Sequence, residues 1–226
     1  MSSAPSRSLF AAADLERLSG VFARLTAQLA RPAVEFGMLV ADPIFWGWGV
    51  QRGDGHSVLV LPGLGGGDSY LQPLRTWIRR VGYQPLDSGL DVNPGWSEEL
   101  VDELADLVQR EFRRSGLKLT IIGHSLGGVF GYAIAARQPS MIRQIITLAS
   151  PLRYIRGALS ASVPITAFYS RADSIVRYPA ALASDPHAHN IEVASSHIGM
   201  AGHPEVYRKL GPLLGRNGNE DRQRAK

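Results

Sequence analysis

The stretch Leu119-Thr120-Ile121-Ile122-Gly123-His124-Ser125-Leu126-Gly127-Gly128 decides how this chain reads. Its first four residues are apolar or β-branched, which suits a strand buried on both faces. From Leu126 to Arg137 the chain is uncharged until its last residue and reads as a buried helix. A strand, a Gly-x-Ser-x-Gly turn and a helix in direct succession place a serine hydroxyl on a sharp bend, clear of the sheet. The glycines on either side let other backbone pass close to that bend. A serine hydroxyl is a weak nucleophile until a base within hydrogen-bond reach takes its proton. The rest of the chain must therefore supply a base, and a group to hold that base.

Outward from this stretch, strands and helices alternate. Ser57–Leu61 is a short apolar run followed by the glycine-rich Pro62-Gly63-Leu64-Gly65-Gly66-Gly67-Asp68-Ser69. Ser69–Val81 has a helical pattern, Tyr83–Leu86 is a second strand, and Ser97–Arg114 opens with Ser97, Glu98 and Glu99, which favour a helix start. Gln144–Leu148, Ile165–Tyr169 and Asn190–Val193 read as further strands, and Tyr207–Leu214 as a closing helix. Such alternation implies an α/β fold, a mostly parallel central sheet with helices on both faces. Upstream, Leu15, Leu18, Phe22, Leu25 and Leu29 recur at helical spacing, with Pro32 just beyond them. Phe36, Phe45, Trp46 and Trp48 cluster without a clear period and are expected to pack on the sheet edge. The expected organisation is an N-terminal helix and aromatic segment over 1–52, an α/β domain over 53–215, and a polar, disordered tail over 216–226.

Composition narrows the function classes. The chain has 226 residues, 45% of them apolar, enough for a core that needs no staple. It has no cysteine, which removes disulfides, thiolate zinc sites and a cysteine nucleophile together. A net charge of +4 is too mild and dispersed for a nucleic-acid footprint. No signal peptide or membrane span is recognised, so a cytoplasmic location without stable membrane insertion is expected. Oligomeric state leaves no trace in the sequence.

The base needs a pKa near working pH, which makes histidine the natural candidate. His197 follows the strand Asn190–Val193 and should reach the same carboxyl edge of the sheet as Ser125. His203 precedes Pro204 and Glu205, a pattern that reads as a helix start, and His124 inside the turn should point away from the hydroxyl. A carboxylate must hold the imidazole tautomer and stabilise the imidazolium. Asp173 directly follows an apolar strand and is the first candidate; Asp185 is its main rival, with Asp87 and Asp91 behind it. Asp185, His187 and His189 alternate in a way that could suggest a metal, but their loop placement favours solvated side chains, so no metal or cofactor is expected. No Lys-Ser/Thr follows the glycine run, so it is not a phosphate cradle of the P-loop kind.

Over roughly His56 to Leu214 the sequence resembles the α/β-hydrolase superfamily, in particular its small capless serine esterases and lipases. The resemblance rests on the serine turn and three other motifs. Leu59-Val60-Leu61-Pro62-Gly63-Leu64-Gly65-Gly66 is similar to the family's oxyanion strand and loop. Tyr169-Ser170-Arg171-Ala172-Asp173-Ser174-Ile175-Val176 is similar to the acid loop, and Ser196-His197-Ile198-Gly199-Met200 to the histidine loop. The order Ser, Asp, His along the chain is also the family's order. Pro62 departs from the histidine many members carry there, although a backbone donor does not require it. The resemblance implies an α/β-hydrolase fold and a serine hydrolase of a small-molecule carboxylic ester, with Ser125 as nucleophile, His197 as base and Asp173 orienting it. Leu64 and Leu126 would supply the oxyanion N–H groups. A thioesterase, amidase or acyltransferase would use the same residues, and a non-catalytic binding protein of this fold is the alternative of another class. Only fifteen residues separate Leu148 from Pro164, too few for a cap with its own core. An open cleft lined in part by Leu64, Leu126 and Leu152, and binding substrate there, is therefore expected.

Overall fold

A computed structural model of the chain describes residues 30–155 and 163–215. Six strands form one sheet: β1 (Ser57–Leu61), β2 (Gln84–Leu86), β3 (Leu119–His124), β4 (Ile142–Leu148), β5 (Ile165–Tyr169) and β6 (His189–Glu192). Every neighbouring pair is parallel, in the order β2-β1-β3-β4-β5-β6. The helices are α1 (Ala30–Ala41), α2 (Gln72–Arg80), α3 (Glu98–Ser115), α4 (Leu126–Arg137), α5 (Tyr178–Ala181) and α6 (Pro204–Gly215).

Strand alternation sorts the core into two layers. Leu59, Leu61, Ile121, Ile145, Ile165 and Ala167 pack with α3 and α4 on one face. Val58, Val60, Ile122, Ile146 and Phe168 pack with α1, α2 and α6 on the other. These strands carry apolar residues at odd and even positions alike because both faces are covered. After β1 the chain runs outward to β2, and after β2 it returns to β3 on the other side of β1. The strand order reverses between β1 and β3, which opens a crevice at their carboxyl ends, the place where open α/β sheets bind ligands.

Strand β4 begins at Ile142, two residues before the expected start at Gln144, because its polar residues find partners inside the fold. The Arg143 guanidinium meets Asp54 at 3.2 Å, and Gln144 donates to the Leu213 carbonyl at 3.0 Å. Helix α6 likewise starts at Pro204, whose missing N–H costs nothing in a first turn. For the same reason Pro32 sits inside the first turn of α1, where the sequence placed it beyond a helix. The expected helix over Leu15–Leu29 and the tail over 216–226 lie outside the described residues. Of the aromatic segment, Phe45 packs into the helical layer rather than on the sheet edge, while Phe36, Trp46 and Trp48 stay exposed. Phe45 meets Tyr207 of α6 edge-on, Trp77 of α2 donates to the Ile44 carbonyl at 2.8 Å, and the Arg80 guanidinium covers the rings of Phe45 and Trp46.

Candidate active site

Ser125 joins β3 to α4 with φ 52° and ψ −122°, a conformation that L residues rarely adopt. The surroundings hold it there. Its N–H donates to the Leu148 carbonyl of β4 at 2.8 Å, and its carbonyl accepts from Gly128 at 3.1 Å. Gly127 lets α4 pass against β1, since a Cβ there would lie 2.1 Å from the Leu61 carbonyl oxygen.

Asp173 and His197 come to the same edge from the loops after β5 and β6. His197 Nε2 stands 3.0 Å from Ser125 Oγ, and Nδ1 stands 2.7 Å from Asp173 Oδ2. The other Asp173 oxygen accepts the N–H groups of Ile175 at 2.8 Å and Val176 at 2.9 Å, so this side chain is an acceptor at both ends. With the Nδ1 proton directed at the carboxylate, Nε2 is left to accept from the serine hydroxyl. All three side chains are buried. The arrangement can move a proton from Ser125 to His197 and hold the resulting imidazolium against a carboxylate.

Ser125 and His197 face a cleft of about 240 Å³, lined also by Gly63, Leu64, Gly65, Gly66, Tyr70, His124 and Ile198, with Asp173 buried behind His197. Three N–H groups of the glycine loop are engaged: Gly63 donates to Tyr70 Oη at 2.9 Å, Gly65 to the Asn93 carbonyl at 2.9 Å, and Gly66 to the Gly63 carbonyl at 3.1 Å. Among the described residues the N–H groups of Leu64 and Leu126 have no protein acceptor. Asn93 pins the loop from outside, its side chain donating to the Pro62 carbonyl at 2.8 Å.

His124 does point away from the hydroxyl, into a relay of its own. Its Nε2 lies 2.9 Å from the His197 carbonyl, which can only accept, so Nε2 carries the proton and Nδ1 accepts from Tyr70 Oη at 2.7 Å. Burial, with the nearby His197, pushes His124 down to about 3 and keeps it neutral. Burial also pushes the Tyr70 phenol up, which keeps it a donor. Gly63, Tyr70, His124 and the His197 backbone thus form one chain of hydrogen bonds. Sequence reasoning missed Tyr70 and Asn93 because nothing in their local pattern marks a long-range partner.

Other candidates fall elsewhere. Of the three expected lining residues only Leu64 lines the cleft; the side chains of Leu126 and Leu152 are buried in the core with α3 and α4, which corrects the expectation for both. Asp185 lies 3.3 Å from Tyr132 Oη, and Asp87 pairs with Arg75. His203 Nδ1 accepts from the Glu205 N–H at 3.3 Å, so it serves the start of α6. Among the described residues no three His, Cys, Asp or Glu side chains are grouped to hold a metal ion. Among them, too, no helix is long and apolar enough to cross a membrane.

Known proteins resemble this chain in sequence and in fold. Over 111 residues the chain is 30% identical to a protein of Pantoea ananatis named "Putative carbamate hydrolase RutD", covering 44% of this chain and 38% of that protein. The chain spans about two fifths of the length of the curated relatives it matches. A protein of Pectobacterium atrosepticum described as a "putative yden-like hydrolase" has a similar structure, with TM-score 0.53 at 19% identity over 80% of this chain and 97% of that one. A lipase-esterase related protein of Clostridium acetobutylicum gives TM-score 0.56 at 11% identity, over 71% and 96% of the two chains. These likenesses bear on the fold, which is that of the α/β-hydrolases. The sequence profile of a family described as "Putative esterase" matches residues 79–197, just over half of the chain, and the chain belongs to that esterase family of α/β-hydrolases.

Proposed function

We propose that the protein is a serine hydrolase that cleaves short-chain carboxylic esters through an acyl-enzyme. The observation that carries this reading is the line from Asp173 through His197 to Ser125, with steps of 2.7 and 3.0 Å, ending on a strained turn beside two unengaged backbone N–H groups. In the first step Ser125 Oγ attacks the ester carbonyl carbon while His197 Nε2 takes its proton. The carbonyl oxygen becomes an oxyanion held by the N–H groups of Leu64 and Leu126. The imidazolium then gives its proton to the departing alkoxide, which leaves as the alcohol. Water repeats the sequence on the acyl-enzyme and releases the acid and free Ser125.

A cleft of about 240 Å³ supports a small substrate, since pockets for drug-sized ligands run from roughly 300 to 1,000 Å³. The site acts on the acyl carbon, so a thioester or carbamate would meet the same groups, and both belong in the substrate panel. A fluorophosphonate probe and nitrophenyl esters of increasing acyl length test the reading. Stoichiometric labelling lost in Ser125→Ala, with fastest turnover on short acyl chains, is expected. No labelling together with no turnover across the panel would overturn it in favour of a binding protein.

A further inference from the structure

We infer that Glu35 of α1 is a positioning residue for His197: it holds the turn from which the imidazole reaches Ser125. The inference rests on the reading of His197 as the base. Helix α1 inverts the usual distribution of polarity. Val34 and Met38 are 64% and 50% exposed, while Glu35, the helix's only acid, is 4% exposed. Burying a carboxylate is costly unless it is paired and hydrogen-bonded, and an apolar residue would anchor the helix more cheaply. Here both oxygens converge on one residue. Oε1 accepts the Ser196 N–H at 2.8 Å, with Arg31 Nε 3.4 Å away, and Oε2 accepts the Ser196 hydroxyl. Ser196 Oγ in turn accepts the Gly199 N–H at 3.2 Å. Gly199 keeps room for the carboxylate, because a Cβ there would fall 1.6 Å from Oε2.

Ser196, the residue before His197, is therefore held directly by a carboxylate from a segment 161 positions away, and Gly199, two residues after His197, is tied to it through the Ser196 hydroxyl. Asp173 fixes Nδ1 of the ring, and His124 fixes the His197 carbonyl. Glu35 fixes the backbone from which the side chain springs. Without it the Ser196 N–H is left buried and unpaired, and the turn must move to find another acceptor. A shift of about 1 Å in a reacting group costs on the order of a hundredfold in rate.

Glu35→Ala and Glu35→Gln in the full chain, assayed with nitrophenyl acetate, test this. The glutamine carbonyl can still accept the Ser196 N–H while its amide donates to Ser196 Oγ, so the conservative variant should rescue the turn. Glu35→Ala should lower kcat about a hundredfold, with KM within about threefold, and Glu35→Gln should stay within about fivefold of the parent. The downfield proton resonance of His197 Nδ1 should broaden in Glu35→Ala and persist in Glu35→Gln. A folded Glu35→Ala with kcat within about threefold of the parent and an unchanged resonance overturns the inference. Should Glu35→Ala fail to fold, Ser196→Ala carries the test: a loss of about tenfold in kcat supports the inference, and an unchanged kcat overturns it. A parent protein that neither labels with fluorophosphonate nor turns over ester defeats the hydrolase reading alone. The resonance comparison then still decides the role of Glu35.

Discussion

Ser125 has a backbone conformation that costs about 1–3 kcal/mol in a non-glycine residue, and it persists only because its neighbours over-determine it. Gly127 is one of those neighbours. In Gly127→Ala the new methyl would meet the Leu61 carbonyl oxygen, which belongs to a central strand and cannot swing aside. We expect that variant to lose about 1–3 kcal/mol of stability or more, and activity with it, as denaturant unfolding and ester assays will show. Ser125→Ala removes no contact of that kind, so it should stay folded while kcat falls by up to roughly 10⁶. Retention of more than a few per cent of turnover would sink Ser125 as nucleophile. Asp173→Asn should cost roughly 10⁴ in kcat, because an amide favours the wrong imidazole tautomer. Asp185→Asn, beside Tyr132, should leave kcat unchanged; the reverse result would move the acid to Asp185.

Helix α3 shows how an element can be disturbed without touching the chemistry. Ser97 caps it by accepting the Leu100 N–H at 3.1 Å, Glu98 and Glu99 occupy its first turn, and Gly116 ends it in the left-handed region. The helix buries Leu100, Val101, Leu104 and Val108 on the sheet face it shares with α4. Losing a serine cap typically costs about 1 kcal/mol, and for a chain of this size that lowers Tm by about 2–4 °C. Ser97→Ala should show that shift by calorimetry with kcat and KM unaltered at assay temperature. A change in kcat without a change in Tm would mean that α3 acts on the cleft. Helix α1 is the opposite case, because its buried carboxylate ends at the turn carrying His197.

Across the molecule as a whole, one buried and one half-buried group link stability to pH. His124 is held down at about 3 against 6.5 in the unfolded chain, chiefly by burial. Between these values the unfolded state binds the proton and the folded state does not, so stability is lost as pH falls from about 6.5 towards 3. Burial alone would raise Asp54, but its hydrogen bond and charge interaction with His56, with Arg143 beside them, hold it near 2 instead of 3.8. That carboxylate contributes stability above about 3.8, which is lost as pH falls through about 2. The protein should therefore melt at progressively lower temperature from pH 7 to pH 4. His124→Gln, which keeps an acceptor for Tyr70 and a donor for the His197 carbonyl, should flatten that slope. An identical slope in the variant would mean that His124 is not the group responsible.

Local sequence was enough to specify the strands of the sheet, the bend at Ser125 and the loops that bring Asp173 and His197 to the same edge. Strands β1 and β5 are legible to the residue as apolar runs, and Gly123-His124-Ser125-Leu126-Gly127 carries strand, turn and helix within a few positions. In a parallel sheet every carboxyl end faces the same way, so the loops that leave those ends must share one edge. Other features took shape only through packing. Leu152 is as apolar as Leu64, yet one enters the core while the other lines the cleft. Arg143 hid the start of β4 because a polar residue reads as exposed until its buried partner is known. Helix α1 is apolar on nearly every side, so its sequence gives no face to prefer, and its one acid reads as its solvent side. Burial of Glu35 becomes favourable only when Ser196, 161 positions away, brings two donors to it. Pairings of that span leave no periodic trace, because their energy depends on where the chain returns and not on what lies beside each residue.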